Sequence, residues 1–354
     1  MSTFERKAKR LELAALGFAT LAVGVIAGLP EAQAAVDGPK VNWAWASFGN
    51  ARPGTTVMDK MVEIVSAETN GNFTIKIAYG ETLAPSKEII DGIKIGAFEG
   101  GFWTPPFAPG KQPSTSIFTL PFLPVGNFEN ATRISDVYYR HPVVKKDFDV
   151  WSSTYLAPIM IPSYEFIGRG EAPITLADWK GKRVRALGGQ GQAMAKLGAV
   201  ATTVTSPEVY GAMEKGVIDA AALPYYAFVS YKLQEIAKWY TKDFGLGYVI
   251  SNVALSTAAY DKLPPQYKKV LLDAIAPSLA AHNQALREDD EKSVAQFKAR
   301  GLREIVISPA MQAELVKIGG QPVWDEWVKD ITSKGYPGQE LLDVILNEAK
   351  KSNS

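Results

Sequence analysis

Residues 179–223 read WKGKRVRALGGQGQAMAKLGAVATTVTSPEVYGAMEKGVIDAAAL. The pattern reads as a strand over 182–187, a helix over 190–197 and a second strand over 200–204. Ser206-Pro207-Glu208 is a helix start, with Ser at the N-cap, Pro at the first helical position and an acid in the first turn. That helix is expected to stop at Lys215-Gly216, before a third strand over 217–222. Strand, helix, strand, helix, strand is the rhythm of a parallel sheet with helices packed on it.

The same rhythm occurs upstream. Val41-Asn42-Trp43-Ala44-Trp45 alternates with Val, Trp and Trp on one face, the period of a strand. Val57, Met58, Met61, Val62 and Val65 stand at helical spacing, and Phe73-Thr74-Ile75-Lys76-Ile77 reads as a second strand. Ser86 caps a helix carrying Ile89, Ile90 and Ile93, and 97–103 reads as a third strand. Helices are expected over 127–139 and 143–151, with 156–167 extended. So two α/β blocks are joined by extended segments. The stretch 264–301, rich in Ala, Leu, Lys, Glu and Gln, is expected to form one helix of about 50 Å that touches both blocks. Within it, Arg287-Glu288-Asp289-Asp290-Glu291-Lys292 lacks the glycine and ligand spacing of a calcium loop and reads as a solvated face.

The chain has 354 residues, with 38 Lys and Arg against 37 Asp and Glu. This balance excludes the strong basic footprint of a nucleic-acid binder. Cysteine is absent, which removes thiol catalysis, thiolate metal sites and disulfides. The two histidines, His141 and His282, lack paired-ligand spacing. At the N-terminus, Arg6, Lys7, Lys9 and Arg10 precede an uncharged apolar run over 13–29 and an Ala32-Gln33-Ala34 cleavage signal. Residues 1–34 therefore read as a signal peptide, and the mature protein is expected to be exported.

Catalytic signatures are scarce. The sequence contains no GxSxG elbow, SxxK motif or phosphate loop. Gly188-Gly189-Gln190-Gly191-Gln192 follows a strand, but Met194 stands where a dinucleotide fingerprint needs its third glycine. A loop presenting backbone N–H groups to an anion fits it better. Paired carboxylates leave a hydrolase as the alternative. Arg185 is the chief candidate for binding. It ends a strand, and ligands of open α/β sheets bind beyond the carboxyl ends of strands. Its guanidinium suits a carboxylate, held by two parallel charged hydrogen bonds.

Trp179-Lys180-Gly181-Lys182-Arg183-Val184-Arg185, then Leu197-Gly198-Ala199, then Glu208-Val209-Tyr210 leading to Asp219 form a pattern. It resembles the solute receptors of TRAP transporters, the DctP-like family. Leu120-Pro121-Phe122-Leu123 and the glycine of Ile93-Lys94-Ile95-Gly96 agree with it. The resemblance implies a two-domain periplasmic binding protein, α/β in class, with a hinge and one long domain-spanning helix. Such a receptor closes over a small organic acid and docks on a membrane permease, without a cofactor or metal. The expected division is residues 35–167 with 248–285 as domain I, and 168–247 with 286–354 as domain II. The resemblance makes Arg185 the carboxylate clamp and places other ligand contacts at Trp45, Ser47, Phe102, Trp103, Ser206, Tyr225 and Tyr226.

Some positions depart from the family's pattern. Leu223 stands where dicarboxylate and sialic-acid receptors often carry Asn. Glu171 occupies their second basic position, with Arg169 two residues before it as a substitute. Ala222 replaces the Glu that helps the keto-acid receptors hold a metal. One strong cation facing aromatic side chains favours a monocarboxylate with an aromatic or hydrophobic body over succinate, malate or fumarate.

Overall fold

The computed structural model describes residues Ala35–Lys351. The expected signal peptide lies outside these residues. Eleven strands run in chain order: β1 (Val41–Ala46), β2 (Phe73–Ala78), β3 (Gly100–Trp103), β4 (Ser153–Ile161), β5 (Glu165–Gly168), β6 (Arg183–Arg185), β7 (Val200–Thr202), β8 (Ala220–Leu223), β9 (Trp239–Lys242), β10 (Val249–Ser256) and β11 (Arg303–Val306). They form a five-stranded sheet, ordered β2-β1-β3-β10-β4, and a six-stranded sheet, ordered β11-β9-β5-β8-β6-β7.

The first sheet grows from β1. Trp43 and Trp45 point into the core, while Asn42 before them is exposed and Ala44 between them is half-buried. Trp43 meets Phe73 of β2 edge-on, with ring centroids 5.0 Å apart. β1 pairs in parallel with β2 and β3, and β10 enters antiparallel between β3 and β4. Gly101 is required in β3, because a Cβ there would lie 2.6 Å from the Ala46 carbonyl oxygen. In the second sheet β6 is parallel to β7 and β8, as the βαβ rhythm predicts. Arg183 of β6 donates through Nε to Asp219 at 3.0 Å, and its backbone N–H donates to the same carboxylate at 2.9 Å. The Asp219 of the motif therefore ties β6 to the start of β8.

The chain passes between the sheets at 162–164, linking β4 to β5, and at 243–248, linking β9 to β10. A helix makes the third passage. The single helix expected over 264–301 is two helices, Pro265–Asp273 and Ile275–Ala299. Pro277 accounts for the break: it has no N–H to donate to the Asp273 carbonyl. The longer helix spans about 37 Å and touches both sheets. His282 Nε2 lies 2.8 Å from the Met160 carbonyl oxygen on β4. Further along, Phe297 packs on Tyr240 of β9 at 5.0 Å. The acidic run lies on this helix, where Ser293 donates to Asp289 at 2.8 Å and Arg287 reaches across to Glu129 at 2.9 Å. No group able to hold a metal ion occurs among the described residues. The C-terminal helix, Gly338–Lys351, packs on Phe128–Tyr139 beside the first sheet.

Candidate functional site

The cavity between the two sheets is nearly closed, with a volume of about 20 Å³. One wall comes from the first sheet and its loops: Phe48, Arg52, Phe102 and Phe107. The other comes from the second sheet's side: Ser206, Leu223, Tyr226 and Tyr231. Tyr164, in the link between β4 and β5, also lines it. None of the lining residues is acidic.

Arg185 lies at the end of β6, fully buried beneath this cavity. Its Nε donates to the Val204 carbonyl at 2.8 Å and Nη1 to the Ala222 carbonyl at 2.6 Å. Nη2 is buried without a hydrogen-bond partner. Arg185 forms no ion pair among the described residues. The Tyr164 hydroxyl lies close enough for a weak hydrogen bond with the guanidinium, and the Tyr231 hydroxyl lies near its charge. Burial pushes the guanidinium pKa down, the direction taken by a cation stripped of water without a counter-ion. A buried charge of this kind is costly until an anion joins it. Tyr231 Oη is also buried and unpaired. The free donors of the site thus cluster around Arg185.

The opposite wall is aromatic. Phe48 and Phe102 pack tilted at 4.7 Å, and Phe48 meets Phe107 at 5.3 Å. The Arg52 guanidinium sits 4.8 Å from the Phe48 centroid and 5.4 Å from that of Phe102. Its Nη1 donates to the carbonyls of Phe48 at 2.7 Å and Asn50 at 2.9 Å, which fixes the loop after β1.

Of the expected contacts, Phe102, Ser206 and Tyr226 line the cavity and Arg185 lies beneath it. Ser206 is free to do so because it is not the N-cap. Thr205 takes that role in a capping box with Glu208, whose Oε2 accepts from the Thr205 backbone at 3.0 Å. The other expected contacts are not among the lining residues. Trp45 is in the core beneath β1, and Ser47 is buried with Oγ 3.5 Å from the Phe48 carbonyl. Trp103 turns to the opposite face of β3 from Phe102 and donates to Gln112 at 2.7 Å. Tyr225 points away, donating to the Thr241 carbonyl at 2.9 Å. Arg169 caps the end of the helix Val209–Glu214, donating to the Met213 carbonyl at 2.5 Å. The glycine loop does not face the cavity as an anion cradle. Gly189 N–H is taken by Thr119 Oγ1 at 3.0 Å, and a Cβ on Gly188 would lie 2.3 Å from that oxygen. The glycines let the Thr119-Leu120 segment pack closely.

Sequence reasoning passed over Arg52, Tyr164 and Tyr231. Arg52 had a usable signal. It follows the carboxyl end of β1, the same strand-end position that singled out Arg185.

The sequence model of the bacterial extracellular solute-binding proteins, family 7, matches residues 48–330. A C4-dicarboxylate-binding periplasmic protein of Rhodobacter capsulatus is 24% identical over 284 residues, covering 77% of this chain and 81% of that one. A TRAP solute binding protein from Rhodoferax ferrireducens T118, in complex with copurified benzoate, superposes with a TM-score of 0.80 at 22% identity, covering 88% of this chain and 98% of the other. A marine metagenome TRAP solute binding protein specific for aromatic acid ligands, in complex with 3-hydroxybenzoate, gives 0.81 at 22% identity, with 90% and 100% covered. These likenesses show the two-domain binding-protein fold.

Proposed function

The chain belongs to the bacterial extracellular solute-binding proteins, family 7, and we propose that its ligand is a small monocarboxylate with a flat aromatic or hydrophobic body. The observation that carries this reading is Arg185: a fully buried guanidinium with Nη2 unpaired and no acidic side chain lining the cavity above it. A carboxylate satisfies that donor and the charge together. The aromatic wall of Phe48, Phe102 and Phe107 suits a planar body by area burial and stacking. Solved relatives holding benzoate and 3-hydroxybenzoate support the same ligand class. The curated C4-dicarboxylate-binding relative supports the broader class of organic acids.

In this reading Arg185, Phe102, Ser206 and Tyr226 contact the ligand, with Tyr164 and Tyr231 added from the cavity wall. Arg169, Trp45, Ser47, Trp103 and Tyr225 act in support of the fold. The protein captures its acid outside the cytoplasmic membrane by closing two lobes. It then passes the acid to a TRAP membrane permease unchanged.

Titration calorimetry tests the ligand class. Benzoate and phenylacetate are expected to bind more tightly than succinate and malate. Tight succinate or malate binding with no response to aromatic acids overturns the aromatic assignment. Turnover of any bound acid would favour the hydrolase instead.

A further inference from the structure

The cavity holds a second cation. Arg52 lines it from the first-sheet side, while Arg185 lies beneath it in the second sheet. Tyr231 links the two: the Arg52 guanidinium is 5.8 Å from its ring, and its hydroxyl lies near Arg185. Arg52 forms no ion pair among the described residues, and no acid lines the cavity to balance it. Its hydrogen bonds to Phe48 and Asn50 both leave from Nη1. A guanidinium carries five donors, so Nε and Nη2 remain for a partner other than those carbonyls. The Phe48 and Phe102 ring centroids lie 4.8 and 5.4 Å from its carbon, so the cation packs against aromatic faces. One carboxylate on Arg185 leaves this second cation without a counter-ion.

We infer that Arg52 is a specificity-determining residue that reads the far end of the ligand, selecting acids with a second oxygen acceptor across the ring from the carboxylate. The inference rests on the organic-acid reading above and modifies its monocarboxylate form, since a second carboxylate is accepted where Arg52 can pair with it. The preferred acids carry a phenolic hydroxyl or a second carboxylate, and a bare ring is the weaker ligand. Arg185 takes the carboxylate because it is the more deeply buried cation and has the orphaned donor. Arg52, next to the Tyr226 hydroxyl, takes the second group.

The test uses matched pairs measured by calorimetry on the full mature protein: benzoate with 3-hydroxybenzoate, benzoate with isophthalate, and butyrate with succinate. In the unaltered protein the acid with the second acceptor is expected to bind about tenfold more tightly within at least one pair. Arg52→Met keeps an apolar side chain against the rings and is expected to bring that ratio close to one, with affinity for the simpler acid changed only a few-fold. Binding of the simpler acid also reports that the variant is folded. Arg52→Lys, which keeps the charge without the planar fork, is expected to restore only part of the ratio, and gives the same readout if the Met variant does not fold. A ratio unchanged by both variants, or no preference within any pair of the unaltered protein, overturns the role of Arg52 and leaves the receptor reading intact. Should only the aliphatic acids bind, the butyrate–succinate ratio decides the role of Arg52 while the aromatic assignment fails. If no acid binds, both fall.

Discussion

The cavity above Arg185 and the groove beside Glu165 differ in size, in sign and in how fully their polar groups are paired. The groove is much the larger, about 660 Å³ against 20 Å³, and opens to solvent. It is acidic, with Glu165, Asp243, Asp290, Glu291 and Glu304 facing Lys242 and Lys298. Its most buried acid is satisfied from within. Glu165 accepts from Thr241 Oγ1 at 2.6 Å and from the backbone N–H groups of Phe244 at 3.2 Å and Gly245 at 2.9 Å. Glu165 of β5 thus stitches the 243–248 link and β9 together. In the smaller cavity the donors Arg185 Nη2 and Tyr231 Oη are left over. Unmet donors and unbalanced charge create a demand that a ligand can meet, and they, rather than volume, are the ground for proposing the smaller cavity as the binding site.

The largest expected effect of breaking that contrast is at Arg185. Arg185→Ala is expected to weaken acid binding by about 3–5 kcal/mol, the cost of removing one partner of a buried charge pair. Arg185→Lys is expected not to recover it, since Lys lacks the fork. Both variants also release the Val204 and Ala222 carbonyls, so some melting temperature is lost as well. The comparison is therefore made by calorimetry well below that temperature. Wild-type affinity in the Ala variant removes Arg185 from the site, and wild-type affinity in the Lys variant removes the need for its fork.

The groove responds to pH instead. Burial pushes the Glu165 pKa up to about 7 from the ordinary 4.5, against the pull of its three donors. The folded state then holds a proton that the unfolded state has already lost between those values. Stability is highest below about pH 4.5 and falls as pH rises towards 7, by about 3 kcal/mol from this group alone. Glu165→Gln is expected to flatten that slope in denaturation curves taken from pH 4.5 to 7.5, with acid affinity unchanged. An equal slope in the variant would place the titration elsewhere.

Much of this was open to the sequence. The βαβ rhythm of both sheets follows from side-chain periodicity, which local sequence carries directly. Arg185 follows from the strand-end rule. The aromatic residues show where that reasoning ends. Phe102 and Trp103 are neighbours on β3, so they face opposite ways, and period two cannot say which faces the ligand. The same parity sends Trp45 into the core with Trp43. Tyr225 and Tyr226 divide likewise, one to the groove and one to the cavity. Arg52 lies in an irregular loop, where no periodicity points a side chain anywhere. The break at Ala274 had a visible cause in Pro277.

Tyr225 sharpens the contrast with a smaller effect. It was expected in the binding site, but its hydroxyl serves the Thr241 carbonyl in the groove. Tyr225→Phe is expected to cost about 1 kcal/mol of stability and to leave every acid affinity as it was. A loss of affinity beyond about threefold, near 0.6 kcal/mol, would join the groove to the site and undo the division between the two regions.

The smallest effect belongs to the rim. Lys87 precedes the helix Ile89–Lys94 on the first-sheet side, and Glu208 precedes Val209–Glu214 on the other. Their charged atoms lie 3.6 Å apart, with both side chains about half exposed. Glu208 is already anchored by Thr205, whose Oγ1 donates to it at 2.7 Å, so Lys87 is the cleaner residue to change. Exposed pairs contribute about 0–1 kcal/mol, because water screens them and two long side chains must be ordered. If this pair forms as the lobes approach, Lys87→Ala weakens ligand binding by less than about fivefold at low ionic strength. The difference between variant and unaltered protein is expected to vanish near 1 M salt, where the screening length is about 3 Å. The loss from Arg185→Ala, in contrast, persists at that salt, since its charge is buried. A Lys87 effect that survives high salt would show that the rim holds the lobes by more than charge.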